Sequence, residues 1–219
     1  WGYGDEAATA KPKSMVDVGC GVGGSSRHIV KKYGCTGRGV SLSPYQIQRA
    51  NLYTKNAGLD AKLQYAVEDA MNMKVPDNTY DLTWSMESGE HMPSKERFLQ
   101  ELIRVTAPGG RILIITWCHR ELSATETSLT KKELNLLNKI NNAYFLPDWV
   151  PGSLYVKLAN QYGLEDVRFA DWTEYVAPFW PAVIRSALKP KNLFRMLRSG
   201  FILLRSAFAT LWMRRGFQK

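Results

Sequence analysis

Residues 14–34, SMVDVGCGVGGSSRHIVKKYG, constrain the fold more than any other stretch. An apolar, strand-like run (14–20) meets Gly19, Gly21, Gly23 and Gly24, and a helix pattern (24–34) closed by Gly34 follows. Glycine permits the sharp turn from strand into helix and lets the backbone approach a ligand closely. The same rhythm continues downstream. Residues 36–43 are the next predicted strand, and a helix over 44–58 has Pro44 in its first turn and Gly58 at its end. Two more strands (63–69 and 79–86), a helix (94–107), a turn at Pro108-Gly109-Gly110 and a fifth strand (111–118) complete the pattern. Strands alternating with helices argue for an α/β fold, a parallel sheet covered by helices on both faces.

Past Cys118 the rhythm breaks. Residues 119–152 are polar, partly helical and marked by Trp and Pro, and a helix (153–162) and a sixth strand (164–172) then resume the pattern. The chain thus divides into a Rossmann-like, cofactor-binding core (1–118), a helical and aromatic insertion (119–163), and a last part (164–219) with the sixth strand and a basic, apolar helical tail. Formal net charge is +9, but from Lys189 onward the chain has Lys and Arg with no Asp or Glu. The excess belongs mainly to the tail, which argues against nucleic acid as a partner of the core. The tail reads either as an interfacial helix resting on anionic lipid, a peripheral membrane contact through 189–219, or as a packing helix with solvated arginines. Cys20, Cys35 and Cys118 form no Cys-x-x-Cys pair, which suits reduced thiols better than a disulfide framework. No apolar run reaches the ~18 residues a membrane span requires. No targeting segment is visible, and Trp1 reads as the last turn of a helix already under way.

In such a sheet ligands bind at the carboxyl ends of the strands. Gly19-x-Gly21-x-x-Gly24 satisfies the dinucleotide fingerprint, a weak signal alone. Two features pull away from a nicotinamide cofactor. Asp17, two residues before the first glycine, would oppose a pyrophosphate but suits an ammonium. The second strand ends in VSLS, without the acid that would hold a ribose. An adenosine joined to an ammonium-bearing amino acid is S-adenosylmethionine. Backbone at Gly19, Cys20 and Gly21 would then approach it. Asp69 can accept from the adenine amino group, with the Ala70 N–H available to a ring nitrogen; the alternative for Asp69 is a turn or helix-cap carboxylate. Glu68 reads as solvated.

The motifs VDVGCGVGGSSR, LSPYQ, WSMESGEHMP, APGGRILIITWCHR and DWTEYVAPFWPAVIRSAL closely resemble those of the gamma-tocopherol methyltransferases of plants and algae. The resemblance runs from Lys11 to about Gly216. It implies the class I methyltransferase fold, a Rossmann-like sheet ordered 3-2-1-4-5-7-6 with an antiparallel seventh strand. It further implies a helical lid before Trp1 and a final strand after Lys219, neither of which this chain contains. The cyclopropane-forming relatives in the wider group imply that Leu42 and Gln46 hold the ribose. The resemblance also implies a plastid location, with the cytoplasm as the alternative, and a small lipophilic aromatic acceptor. The expected reaction is methylation of a chromanol ring, γ- to α-tocopherol in type. N-methylation of an indole alkaloid is the alternative, and an oxidoreductase or a nonenzymatic cofactor-binding module is a more distant one.

WSMESGEHMP ends the fourth strand, beside the glycine turn in that order. Ser85 and Met86 are expected to line the methionine end of the cofactor, with Glu87, Glu90 and His91 facing the sulfonium and the acceptor. His91 is the expected general base, polarised by Glu90, because histidine titrates near neutrality. The alternative makes Glu87 and Glu90 ordinary helix-entry acids and His91 structural. Trp117 is expected to wall the acceptor pocket, with His119 or Arg120 orienting a hydroxyl. Aromatic residues in and after the insertion, Tyr144 and Trp180 among them, suit a flat apolar acceptor. Cys118, His119 and His91 lack paired ligand spacing, so no metal site is expected.

Overall fold

The computed structural model describes residues 11–187 together with Lys189 and Asn192. Five parallel strands form one sheet in the order β3-β2-β1-β4-β5: β1 is Ser14–Val18, β2 Thr36–Ser41, β3 Leu63–Val67, β4 Tyr80–Met86 and β5 Thr106–Ile115. This is the expected order of the first five strands. The helices are α1 (Gly24–Tyr33), α2 (Pro44–Asn56), α3 (Lys95–Val105), α4 (Lys131–Tyr144), α5 (Gly152–Gln161), α6 (Thr173–Val176) and α7 (Phe179–Ala187).

Alternation along the strands builds the two layers. Met15, Leu63 and Leu82 point to one face and bury Ile29 and Val30 of α1, with Trp84 and Leu113 partly buried against them. On α3, Phe98, Leu99, Leu102 and Val105 are buried, and this helix packs on β4 and β5. Local chemistry starts and stops the helices. Ser43 caps α2, its hydroxyl accepting from Gln46 N, with Pro44 in the first turn. Ser94 caps α3 in the same way through Arg97 N, and Thr130 and Glu133 form a capping box on α4.

The fold departs from the sequence reading in two places. Pro108-Gly109-Gly110 does not turn the chain before β5 but lies inside it. The pairing jumps from Tyr80 with Thr106 to Leu82 with Arg111, so the extra residues bulge and Gly109 takes φ +76°. The predicted sixth strand is corrected outright: residues 164–172 have no strand structure. In the expected order a sixth strand bonds only to a seventh, and none of the described residues supplies one, so its backbone has no ladder to join.

The chain separates into two compact units. One holds the residues through Cys118 plus Lys157–Leu164, and the other His119–Val156 and the residues from Glu165 onward. The tail reading for 189–219 falls outside the described residues, apart from Lys189 and Asn192.

Candidate active site

The carboxyl ends of β1, β2, β3 and β4 surround a cavity of about 430 Å³ in the first unit. Its floor is the glycine turn. Gly19 N and Cys20 N both donate to Val40 O at 3.0 Å, which ties the turn to the end of β2. Gly19 must be glycine twice over: φ is +82°, and an added Cβ would lie 2.3 Å from the Ser88 Cβ. Gly21 is different. Its φ is +54°, yet a Cβ there would meet nothing within 4 Å, because this backbone faces open space on the cavity wall.

Asp17 is 2% exposed and lines the cavity. Burial raises its carboxyl from 3.8 to about 6, although hydrogen bonds from Ser26 pull the other way. The Ser26 hydroxyl donates to Asp17 Oδ2 at 2.5 Å. A buried carboxylate whose partners, the Ser26 hydroxyl and backbone N–H, are both neutral is short of positive charge, which is what an ammonium would provide. Cys20 is on the wall as well. Burial first, then the Asp17 charge, pushes its thiol up to about 12, so it stays protonated and offers backbone rather than a nucleophile.

Leu42 and Gln46 reach the wall from the end of β2 and the first turn of α2. Gln46 Oε1 accepts from Ser41 Oγ at 2.8 Å, which leaves its amide NH₂ to donate to a ligand hydroxyl. Asp69 and Ala70 line it from the end of the neighbouring β3. Asp69 also does what the alternative reading expected: Oδ1 accepts from Met71 N at 2.9 Å and closes its own turn. Glu68 corrects its reading as solvated. It is 8% exposed, pairs with Arg38 and accepts from Lys74 N at 3.0 Å. Tertiary packing of β2 beside β3 brings Arg38 to it, a contact no local pattern signals.

The WSMESGEHMP stretch splits between wall and interior. Met86, Glu87, Ser88, His91 and Met92 line the cavity. Ser85 does not. It is fully buried, and its hydroxyl lies 2.6 Å from that of Ser88, which donates to Val18 O at 2.9 Å. The two-residue period of a strand puts Trp84 and Met86 on one face and Ser85 on the other. Glu90 is likewise off the wall, 4% exposed, with Oε2 accepting from Thr116 Oγ1 at 2.8 Å. Gly89–His91 is one turn of 3₁₀ helix, whose successive side chains diverge by about 120°. His91 therefore faces the cavity while Glu90 is bonded to the end of β5, and Glu90 does not polarise the imidazole.

The remaining expected residues lie elsewhere. Trp117, partly buried, belongs to the first unit but not to the cavity wall. His119 and Tyr144 belong to the second unit. The His119 ring Nδ1 is 2.7 Å from Arg120 O. Arg120 is spent on a pair of carboxylates, Glu126 and Glu133, and is not available to orient a hydroxyl. Trp180 is on α7, and its side chain is outside the described set. Sequence reasoning missed Ser26, Ser88, Thr116 and Lys95. Only Lys95 left a signal, a cation in the first turn of a helix, where the macrodipole disfavours it.

The cavity's charge decides between ligands. Asp17, Asp69 and Glu87 line it, together with Glu68, whose charge Arg38 neutralises, and none of the described lining residues is Lys or Arg. Such a wall repels a pyrophosphate and suits a cation. Residues 16–114 match the family model described as a methyltransferase domain. The chain is 54% identical over 212 residues to the protein of Oryza sativa subsp. japonica named "Probable tocopherol O-methyltransferase, chloroplastic", covering 97% of this chain and 59% of that one. It is 49% identical over 218 residues to the chloroplastic tocopherol O-methyltransferase of Arabidopsis thaliana, covering 100% and 63%. Residues 16–114 thus carry a methyltransferase domain, and the chain is similar to methyltransferases over nearly all of its length. It spans about six-tenths of the length of those two plant relatives (59% and 63%). Geranyl diphosphate C-methyltransferase of Streptomyces coelicolor A3(2), solved with S-adenosyl-L-homocysteine, shares the fold at TM-score 0.72 and 20% identity, covering 93% of this chain and 69% of that one. The resemblance first carried by ESGEH and its neighbouring motifs is thereby borne out at the level of family.

Proposed function

We propose that this methyltransferase domain transfers the methyl group of S-adenosylmethionine to a chromanol of the tocopherol class, on the ring carbon beside the phenol. The carboxylate-lined cavity at the glycine turn carries the reading, because it fits a cationic adenosine derivative and opposes a pyrophosphate. In this reading Asp17 takes the ammonium, Gln46 donates to the ribose, and Asp69 with the Ala70 N–H reads the adenine. Met86 and Glu87 face the sulfonium. The methyl passes in line from sulfur to the acceptor carbon, sulfur keeps the bonding pair and S-adenosylhomocysteine leaves; the hydrogen on that ring carbon then departs as a proton, its bonding pair restores the aromatic ring, and the oxygen takes up a proton to give the phenol. The protein's work is alignment and exclusion of water. His91, on the wall, takes the phenolic proton and so enriches the ring. The relatives' names place the methyl on oxygen, and the product discriminates: a free phenol supports carbon transfer, a methyl ether oxygen transfer. Plant relatives named chloroplastic support a plastid location.

Isothermal titration tests the cofactor, with binding of S-adenosylhomocysteine and none of NAD expected. Labelled-methyl transfer to γ-tocopherol and to indole alkaloids, read by mass spectrometry, then tests the acceptor. NAD binding in place of S-adenosylhomocysteine would overturn the cofactor, and labelling of the alkaloid amines alone would overturn the acceptor. Residues 189–219, basic and apolar, belong to the same proposal as a peripheral contact with anionic lipid. Vesicle sedimentation should then weaken as salt rises, and equal pelleting with neutral vesicles would reject the contact.

A further inference from the structure

Lys95 is the first residue of α3 and only 7% exposed. A cation at that end of a helix is opposed by the macrodipole, and burial opposes it again. The compensation is local. Lys95 Nζ donates to Gly89 O at 2.9 Å, to Glu90 O at 3.1 Å and to Met92 O at 2.7 Å. An ammonium has three N–H donors, and here three carbonyls of one short turn receive them. A single 3₁₀ turn holds itself weakly. Its own bonds are His91 N to Ser88 O at 3.0 Å and Met92 N to Gly89 O at 3.2 Å. Burial pulls the Lys95 ammonium below its ordinary value, while the Glu90 carboxylate, and then Cys118, favour its charge. Glu90 is itself anchored to Thr116 at the end of β5. The turn is thus clamped from two sides, by a lysine through its backbone and by a threonine through its side chain. What it presents to the cavity is His91 and Met92.

We infer that Lys95 is a positioning residue for methyl transfer, its ammonium holding the Gly89–Met92 turn in the shape that aims His91 at the acceptor. The inference rests on the methyl-transfer reading of the cavity, but its first readout does not. In Lys95→Met, amide hydrogen exchange at His91 and Met92 should quicken about tenfold or more, while Leu99 and Leu102 of α3 keep their protection. Turnover should fall about tenfold, part of what a positioned base contributes, with S-adenosylhomocysteine affinity changed by less than about threefold. Because Lys95 acts through His91, adding Lys95→Met to His91→Ala should cost almost nothing further. Unchanged exchange at His91 and Met92, or losses that multiply in the double variant, would overturn the inference. If Lys95→Met does not fold, Lys95→Arg reports the same exchange. A flat guanidinium keeps the charge but cannot gather three carbonyls around one nitrogen. A wild-type chain that binds no S-adenosylhomocysteine would defeat the methyl-transfer reading while leaving the exchange result to judge the clamp.

Discussion

The two units of the chain spend their polar groups in opposite ways. In the first, Asp17, Ser26, Ser85, Ser88, Glu90 and Lys95 are all buried, and all stand at or near the carboxyl ends of strands. In the second, the polar network is at the surface: Arg120 with Glu126 and Glu133, and Asp171 accepting from Thr173. Both units expose large apolar side chains, Leu42 (70%) and Tyr45 (68%) in the first, Phe145 (90%) and Tyr175 (83%) in the second. A buried polar group is costly unless each partner is in place, so the first unit is built for fixed geometry. Exposed aromatics carry no such constraint and suit contact with a varied apolar surface. Under the proposed function, this contrast makes the first unit the place to look for cofactor binding and the second unit's exposed aromatics candidates for the acceptor.

The largest expected effect lies in the glycine turn. Gly21→Val should abolish measurable S-adenosylhomocysteine binding in titration, a loss beyond about 100-fold, because the side chain fills space the ligand needs. Its effect on stability should be modest, about 1–2 kcal/mol for a left-handed conformation. Gly19→Ala should do the reverse, lowering the melting temperature sharply because its methyl group collides with Ser88. If both variants merely unfold, the turn is structural and the cavity reading loses its floor.

Asp17→Asn should come next. Cofactor affinity should fall at least about 30-fold, as when one partner of a buried charge pair is removed, while the unliganded domain becomes more stable. The sign follows from linkage. Folding raises the carboxyl from 3.8 to about 6, so between those values the folded state holds a proton that the unfolded state releases. Stability of the unliganded protein therefore falls as pH rises through that window, by on the order of 3 kcal/mol. Denaturant melts at pH 4, 5, 6 and 7 should show this slope in the parent chain and a flatter one in Asp17→Asn. Affinity for S-adenosylhomocysteine should rise with pH through about 6 and level off above it. A parent and variant with the same pH profile would show that Asp17 feels no such burial.

The smallest effect belongs to the second unit. Tyr175→Ala should leave stability within about 0.5 kcal/mol, as expected at an exposed position, and leave cofactor affinity unchanged while raising KM for the acceptor a few fold. A fall in cofactor affinity with no change in acceptor KM would erase the division of labour between the units.

Much of the first unit was legible because its signals are local. The apolar run SMVDV, the period of two in TYDLTWS, the glycines after β1 and at the ends of α1 and α2, and the capping serines are short-range choices that the backbone must honour wherever the chain folds. The cavity position of Asp17, Gly21, Asp69 and His91 follows from them, since strand ends of a parallel sheet converge. What was not legible depends on partners distant in sequence. Glu68 is buried because β2 brings Arg38 beside it, 30 residues away, and Glu90 is turned from His91 because Thr116, 26 residues on, donates to its carboxylate. Ser85 and Glu90 are close to the wall in sequence, but the two-residue period of the strand and the three-residue period of the 3₁₀ helix turn them away from it.

The strand order and the bulge at Pro108–Gly110 mark the boundary of what each level decides. Alternating patterns determine that a parallel sheet forms, because hydrophobic period and turn chemistry act within a few residues of each other. They do not determine whether a segment such as 164–172 joins that sheet. An extended segment becomes a strand only when another backbone offers it donors and acceptors, and that condition exists only in the folded assembly of the chain. The nature of the ligand divides in the same way. Glycines and an aspartate in sequence announce a ligand at the first turn, but the absence of Lys or Arg among the described residues of the cavity wall, on which the proposed cationic ligand rests, arises only when four strand ends meet.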